Sequence, residues 1–191
     1  DDSHGTGVLG KTGRGSVEEK GVWGKVDIIT STFGKALGGA GGGYTTGKKE
    51  VIALLRQRSR MYLFSNSLMP AITAAALYVV EHFDKEFLPL KEKLAENTKY
   101  FRTKLEKLGY TLGGGIPLNK GGAEGGGCHP ITPLMIFDEV KTMALADALL
   151  KEGLYVRGFA YPVVPKGKGR IRIQISAAHT KDHIDQALKT L

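Results

Sequence analysis

Hydrophobic positions along the chain alternate between helical and extended spacing, which predicts a mixed helix and strand fold. A periodic run over 89–108 predicts the longest helix, and Gly109 ends it. The stretches 140–151 and 181–191 predict two further helices. The predicted strands, which share a short run of apolar or β-branched residues, are 26–31, 44–46, 133–137, 154–157 and 170–176. Alternation of this kind is typical of α/β or α+β lobes.

The first half of the chain carries weaker helical patterns. Residues 49–57 predict one helix, and Pro70 can start another that continues to about residue 83. The segment 62–67 between them predicts extended or loop structure. Ser16 and Glu19 fit the S-x-x-E capping box of a short helix.

A glycine-rich stretch interrupts the second half. Residues 113–129 contain little that can pack, so they predict a flexible insertion or surface loop. Cys128 and His129 are adjacent there, and two neighbouring ligands in a loop do not make a tetrahedral metal site. We therefore predict no metal.

Composition excludes several classes of protein. No apolar run approaches the roughly 18 to 20 residues of a membrane-spanning helix, so we expect no membrane partner. The single cysteine cannot form an internal disulfide, which fits cytoplasm or the mitochondrial matrix. The net charge of +8 and pI near 9.5 suit nucleic acid, a phosphorylated cofactor or coenzyme A. Charge alone does not choose among these partners.

The candidate chemistry centres on Lys35, which follows a predicted strand and is surrounded by glycines. An isolated lysine in such a loop is usually a surface cation. Pyridoxal phosphate (PLP), however, requires a lysine amine, a carboxylate at its pyridine nitrogen and donors for its phosphate. Asp1, Asp2 and Thr32 offer these groups in the same part of the chain.

Residues 5–12, GTGVLGKT, satisfy the spacing of a nucleotide-binding P-loop. A P-loop follows an apolar strand and leads directly into a helix. Polar residues 1–4 precede this segment and Gly13-Arg14-Gly15 follow it, so the context argues against a P-loop.

Four ordered motifs carry a family resemblance. They are DDSHGTG at 1–7, GRG at 13–15, TFGKALGG at 32–39 and SAAHT at 176–180. Together they resemble the α-oxoamine synthases, which are fold-type I PLP enzymes. RQRSR at 56–60, YLFSNSL at 62–68 and YPVVPKG at 161–167 are most similar to the members that join glycine and acetyl-CoA. The match covers nearly all of the chain apart from 113–129.

The resemblance implies an α/β fold in two parts. Residues 1–83 would form the C-terminal part of an aspartate aminotransferase-like, PLP-binding large domain, and 84–191 an α+β small domain. The family's N-terminal half is missing from this sequence, so we expect this chain alone to be inactive. It implies a homodimer with shared active sites.

The resemblance also assigns roles to individual residues. Lys35 would hold PLP as a Schiff base, Asp1 would pair with the pyridine nitrogen, and His4 would contact the phenolic oxygen of the ring. These three are the expected catalytic residues, and Asp2 is then a bystander. Thr32 would bind the phosphate within its own subunit.

Three further residues complete the expected site. Phe64 and Ser65 would reach the phosphate of the neighbouring subunit, although Ser65 without the resemblance reads as a turn residue. Arg172 would bind the substrate carboxylate, because a guanidinium pairs with a carboxylate bidentately. Arg170 lies on the same side of the predicted strand, where the spacing alone would let both arginines face water, and the resemblance selects Arg172 over Arg170.

The resemblance implies acyl transfer between acetyl-CoA and glycine, which gives 2-amino-3-ketobutyrate and CoA and serves threonine catabolism. The alternative within the family is another α-oxoamine synthase, such as 8-amino-7-oxononanoate synthase. The alternative from another class is a non-catalytic basic module that binds nucleic acid. Because lysines and arginines are interspersed with acids and form no aromatic-basic stripe, we expect no nucleic-acid partner.

Overall fold

A computed structural model describes residues 1–39, 41–113 and 129–191. The chain forms two compact units, 1–91 and 92–191. The predicted boundary at 83/84 concerns the domains of the whole protein and stays a prediction. The glycine-rich insertion predicted at 113–129 falls on residues that lie almost wholly outside the described ranges.

The first unit combines short helices with one strand pair. Its strands are β1 (Ile28–Thr32) and β2 (Gly43–Gly47). Its helices are α1 (Ser16–Glu19), α2 (Lys49–Arg58), α3 (Arg60–Phe64) and α4 (Pro70–His82). A π-helical turn, Phe83–Phe87, leads from α4 into α5 (Leu88–Lys107), and the boundary between the units falls within α5.

Strands β1 and β2 pair antiparallel, from Ile28 opposite Gly47 to Thr32 opposite Gly43. Both terminal glycines of β2 are required by close approach. A Cβ on Gly43 would lie 2.6 Å from the Ser31 carbonyl oxygen, and one on Gly47 would lie 2.5 Å from that of Asp27. The two glycines therefore allow β2 to reach its full length along β1.

Much of the apolar surface of the first unit is exposed. Val17, Leu37, Ala76 and Val79 are buried, whereas Phe64 is 78% exposed. Other exposed large apolar side chains of this unit are Trp23, Val26, Ile28, Leu54, Met61, Tyr62, Leu63, Met69, Leu77, Tyr78, Val80 and Leu90. A two-stranded sheet of this kind is only marginally stable by itself.

The second unit is an α+β layer. Strands β3 (Ile131–Met135), β4 (Arg157–Phe159) and β5 (Arg170–Gln174) form an antiparallel sheet in the order β3-β5-β4. Two helices, α6 (Glu139–Lys151) and α7 (Lys181–Thr190), complete it with the rest of α5. Their starts are capped by side chains: Asp138 accepts from the Lys141 N–H, and Thr180 forms a capping box with His183.

One face of this sheet forms the core. Alternate residues of β5, Ile171 and Ile173, are buried and pack with Phe101 and Leu105 of α5. Other members of the core are Leu134, Ala146, Leu149, Val156, Ile175, Ile184 and Leu188. The intervening β5 residues, among them Arg172, lie on the opposite face.

Asn97 of α5 fastens the loop between β5 and α7. Its side-chain N–H₂ donates to the carbonyl oxygens of Ser176 at 3.2 Å and His179 at 2.9 Å. The Ser176 N–H in turn donates to Nδ1 of His179 at 3.2 Å. This loop is thereby fixed at the end of the strand that carries Arg172.

The structure confirms the mixed α/β fold class and most of the predicted elements, with three corrections. Ser16 is the first residue of α1, and Gly15 occupies the cap position. The Ser16 hydroxyl donates to Asp2 and does not cap the helix. Part of the predicted extended segment 62–67 belongs to α3. The strand predicted at 154–157 is found at Arg157–Phe159, where pairing with β5 begins.

Within the described ranges, no helix is both long enough and apolar enough to cross a bilayer.

Candidate functional site

The segment Asp1–Ser3 is fastened to β1 by hydrogen bonds. The Asp2 N–H donates to the Thr30 carbonyl oxygen at 2.8 Å, and the Ser31 hydroxyl donates to the Asp2 carbonyl oxygen at 3.3 Å. Asp1 is exposed, and its carboxylate accepts from the Ser3 N–H and hydroxyl at 3.0 and 3.1 Å. Asp2, and with it the neighbouring Asp1, is therefore held beside the strand that leads to Lys35.

Asp2 is buried, with 6% of its surface exposed, and its carboxylate is used within the protein. It accepts from the Ser16 hydroxyl at 2.5 Å, the Ser16 N–H at 3.1 Å and the Thr6 hydroxyl at 2.5 Å. A Cβ on Gly5 or Gly15 would lie 2.0 or 1.9 Å from its oxygens, so two glycines make room for it. The structural role of Asp2 leaves Asp1 as the exposed carboxylate of the pair.

Lys35 lies in an exposed loop directly after β1. Its carbonyl oxygen accepts from the Gly39 N–H at 3.1 Å, and buried Leu37 anchors the loop two residues further on. A Cβ on Gly7 would lie 2.9 Å from the Ala36 Cβ, so the 5–7 turn packs against the loop. Among the described residues, no carboxylate forms an ion pair with the Lys35 amine.

Thr32 closes the neck of this loop. Its hydroxyl donates to the Gly42 carbonyl oxygen at 3.0 Å and accepts from the Gly34 N–H at 3.0 Å, while the Phe33 N–H also donates to Gly42 at 3.1 Å. Gly42 has φ +76°, and a Cβ there would lie 2.3 Å from a methyl carbon of Leu68. Binding of a phosphate by Thr32 therefore requires its hydroxyl to rotate away from Gly42.

An aromatic pair that the sequence did not single out joins the Lys35 loop to β2, with Phe33 at the start of the loop and Tyr44 in the strand. The rings of Phe33 and Tyr44 lie 5.3 Å apart at 33°, and the Tyr44 hydroxyl donates to that of Thr6 at 3.3 Å. Thr6 then donates to Asp2, so one network joins β2 to the start of the chain. The available signal was Tyr44 itself, the aromatic residue of the strand that follows the glycines.

Phe64 and Ser65 stand at the end of α3 on the surface of the first unit. The Arg60 guanidinium lies 5.8 Å from the centroid of the Phe64 ring, and Ser65 follows in an extended conformation. Both side chains are exposed. Their predicted contact with a neighbouring subunit stays a prediction.

Arg172 lies in the second unit, half-buried on β5. Its guanidinium carbon is 5.7 Å from the centroid of the Phe159 ring, a cation–π arrangement. The Arg170 Nε–H donates a hydrogen bond to the Lys168 carbonyl oxygen at 3.0 Å. The two arginines thus have different surroundings although they share a face of the strand.

The GTGVLGKT segment is folded onto acidic side chains. Glu18 accepts from the Thr12 N–H, the Thr12 hydroxyl and the Arg14 N–H, each at 2.9 Å, and Glu19 accepts from the Gly10 N–H at 3.1 Å. Partial burial opposes ionisation of Glu18, but these donors outweigh it and lower the pKa of Glu18. Since the amides bind carboxylates, the segment is not built as a phosphate cradle.

Within the part of the chain that the structure describes, no three histidine, cysteine, aspartate or glutamate side chains are grouped so as to hold a metal ion.

Comparison with known proteins shows the family. The model of the family "Aminotransferase class I and II" matches residues 1–191. The chain belongs to this aminotransferase family. This result agrees with the fold class expected from the four motifs.

Curated relatives of this aminotransferase-family chain include two 2-amino-3-ketobutyrate coenzyme A ligases. The Escherichia coli K12 protein is 50% identical over 189 residues, which are 99% of this chain and 44% of the relative. The mitochondrial mouse protein is 48% identical over 99% of this chain and 42% of its own length. The chain therefore spans less than half the length of the relatives it matches.

A solved structure is similar over the whole chain. Serine palmitoyltransferase from Sphingomonas wittichii superposes with a TM-score of 0.85 at 29% identity, covering 100% of this chain and 45% of that protein. Both units thus have counterparts in a solved member of the same fold.

Proposed function

We propose that this chain is part of a PLP-dependent acyltransferase that interconverts glycine plus acetyl-CoA with 2-amino-3-ketobutyrate plus CoA. The observation that supports it most is the hydrogen bond from the Asp2 N–H to the Thr30 carbonyl oxygen, which holds the first residues of the DDSH motif beside the strand that leads to the Lys35 loop. The similarity to 2-amino-3-ketobutyrate coenzyme A ligases along nearly the whole chain supports the choice of substrates.

The first unit fits PLP in the chemistry of its donors. Lys35 offers an exposed amine for covalent attachment, and Asp1 offers an exposed carboxylate for the pyridine nitrogen. His4 would contact the phenolic oxygen, and Thr32 would donate its hydroxyl to the phosphate. Phe64 and Ser65 would serve the phosphate of a second subunit. Bound PLP supplies a protonated ring that accepts the electron pair released when a bond at Cα breaks.

The side chains of this protein then have separate tasks. Arg172 binds the glycine carboxylate through paired N–H donors. The Lys35 amine would remove a proton from glycine Cα as a general base. A carbon–carbon bond forms between Cα and the acetyl carbonyl carbon, the thioester carbon–sulfur bond breaks, and CoA leaves as the thiol after gaining a proton.

We propose that in metabolism the reaction runs toward cleavage, as the family resemblance implies. Run in reverse, the reaction cleaves 2-amino-3-ketobutyrate with CoA to glycine and acetyl-CoA, which would complete threonine breakdown. We propose a homodimer with shared active sites, located in cytoplasm or, in a eukaryote, the mitochondrial matrix.

The test of cofactor attachment uses the full-length protein that contains this chain. We expect PLP to give a visible absorbance band, and borohydride to fix one pyridoxyl phosphate group to the peptide containing Lys35. Lys35→Ala should lose this adduct, whereas Lys25→Ala, which removes another exposed lysine, should keep it. An identical adduct in the Lys35 variant would refute the assignment.

The substrate assignment is tested separately with a series of acyl-CoA thioesters and glycine. We expect acetyl-CoA to be the preferred donor. A preference for long acyl chains would instead favour another α-oxoamine synthase. Binding to nucleic acid that falls steeply with salt and ignores PLP would favour the non-catalytic basic module instead.

A further inference from the structure

Two arginines stand directly opposite each other in the second unit. Strands β4 and β5 pair antiparallel with Arg157 in register with Arg172. Directly opposed residues share a face of the sheet, and their Cβ atoms lie about 4.5 to 5.5 Å apart. Arg157 is exposed and Arg172 is half-buried, so solvent screens part of their repulsion, and an anion bound to both would relieve the rest.

The pair lies on the face of the sheet away from the core. Ile171 and Ile173, which flank Arg172, point into the core, so the arginine projects to the other side. Phe159 is two residues from Arg157 and shares its face, and its ring contacts the Arg172 guanidinium at 5.7 Å. The aromatic contact holds Arg172 in place without neutralising its charge.

No protein carboxylate supplies this negative charge within the described residues. Arg157 and Arg172 both line a cavity of about 630 Å³, and its lining contains neither aspartate nor glutamate. Its other polar residues are Gln174, Ser176, His179 and His183, together with Tyr155. No ion pair joins either arginine to an acid among the residues that the structure describes. The rest of the cavity lining is apolar and includes core residues such as Ile173 and Ile184, so the positive charge at the cavity comes from the two arginines.

We propose that Arg157 is a second carboxylate-binding residue and that it binds the amino-acid substrate together with Arg172. This inference rests on the proposed function, in which Arg172 binds the glycine carboxylate. Two guanidinium groups on one face can share a carboxylate, which relieves their mutual repulsion as it binds. Arg157 thereby determines affinity for the amino acid and not for the acyl donor.

The test measures binding without turnover. The full-length protein with PLP is dialysed to equilibrium against glycine in the absence of acyl-CoA, and in parallel against methylamine, which lacks the carboxylate. Arg157→Gln should weaken glycine binding by roughly 5- to 20-fold, since a charge-assisted hydrogen bond is lost at a partly solvated site. Methylamine binding should stay within about 2-fold.

Arg170→Gln is the matched control. It removes the same charge from the same face of the sheet, but Arg170 does not line the cavity. Its glycine affinity should remain within about 2-fold of wild type. Arg157→Lys, which keeps a charge but loses the planar pair of donors, should fall between wild type and Arg157→Gln. It also serves in place of the glutamine variant should that variant unfold.

Each result decides the inference. Unchanged glycine binding in Arg157→Gln overturns it, and so does an equal loss of glycine and methylamine binding. Arg172→Gln separates this failure from failure of the proposed function. If Arg172→Gln loses glycine affinity and Arg157→Gln does not, only the second arginine is wrong, whereas normal glycine binding in Arg172→Gln removes the carboxylate site itself.

Discussion

Ser16 binds the carboxylate of Asp2 through two donors at once. Its hydroxyl lies 2.5 Å and its backbone N–H 3.1 Å from the same oxygen, Oδ1. The Thr6 hydroxyl occupies the other oxygen. The start of α1 and the segment beside β1 are therefore joined through one buried side chain.

Asp2→Ala should destabilise the protein by about 2 to 4 kcal/mol, because it leaves partly buried donors of Ser16 and Thr6 without an acceptor. Urea unfolding of the full-length protein measures this loss. Asp1→Ala is the matched control: its carboxylate is exposed, so stability should change by less than about 0.5 kcal/mol. The proposed site predicts that Asp1→Ala instead weakens PLP binding. Equal stability losses in the two variants would contradict this division of roles.

Thr32→Val should weaken PLP binding by roughly 10-fold or more, whereas Thr32→Ser, which keeps the hydroxyl, should stay within about 3-fold. Reconstitution of cofactor-free protein with PLP measures both. Because the hydroxyl also holds Gly34 and Gly42, pyridoxal without its phosphate is the necessary control. A loss of pyridoxal binding as large as the loss of PLP binding would mean that Thr32 only shapes the loop.

Leu105→Ala should destabilise the second unit by about 2 to 5 kcal/mol, since the side chain is fully buried in the core and its removal leaves a cavity. Leu108→Ala, three residues further on, removes a side chain that is 60% exposed. It should cost less than about 0.5 kcal/mol. Thermal unfolding of the two variants compares these losses, and similar values would place Leu105 outside the core.

The stability of the second unit is expected to depend on pH through His179. Burial, with a smaller contribution from nearby His183, lowers the pKa of His179 from its ordinary 6.5. The unfolded chain therefore takes up this proton at higher pH than the folded one, so stability is fully present above about pH 6.5 and falls as pH decreases through the folded pKa.

His179→Asn tests this dependence, because an asparagine carbonyl can accept the Ser176 N–H as Nδ1 does and does not titrate. Between pH 7 and pH 5 the Tm of the variant should fall by roughly 1 to 3 °C less than that of wild type. Parallel curves of Tm against pH would show that His179 does not contribute.

The sequence predicted elements where the signal is local. Pro70 begins α4 as its position indicated, and α7 begins at Lys181 as predicted. The apolar run before β4 was misassigned because Val156 is buried without pairing, and the strand begins only where β5 provides a partner at Arg157. A hydrophobic pattern in the sequence indicates which residues are buried, but it does not indicate which residues pair with a neighbouring strand.

The candidate site shows the same limit. Ser16 has a capping-box sequence, yet its hydroxyl binds Asp2, fourteen positions earlier in the chain. The motif around Lys35 was recognisable because glycines and Thr32 lie within a few positions of it. The opposition of Arg157 and Arg172 was not recognisable, because they lie fifteen positions apart and only the register of the strands brings them together.

The loop between β5 and α7 depends on the two hydrogen bonds that the Asn97 amide donates to it, so a small chemical change in this side chain would affect the loop. Both carbonyl oxygens that it binds face its N–H₂ group, so hydrolysis of that amide to a carboxylate would set an oxygen against two oxygens. The side chain at position 97 would then repel the carbonyl oxygens of Ser176 and His179 in the loop after β5, although its shape would hardly change. Chemical ageing of a single side chain, far along the sequence from Lys35, would thus loosen the support of the residue proposed to bind the amino acid.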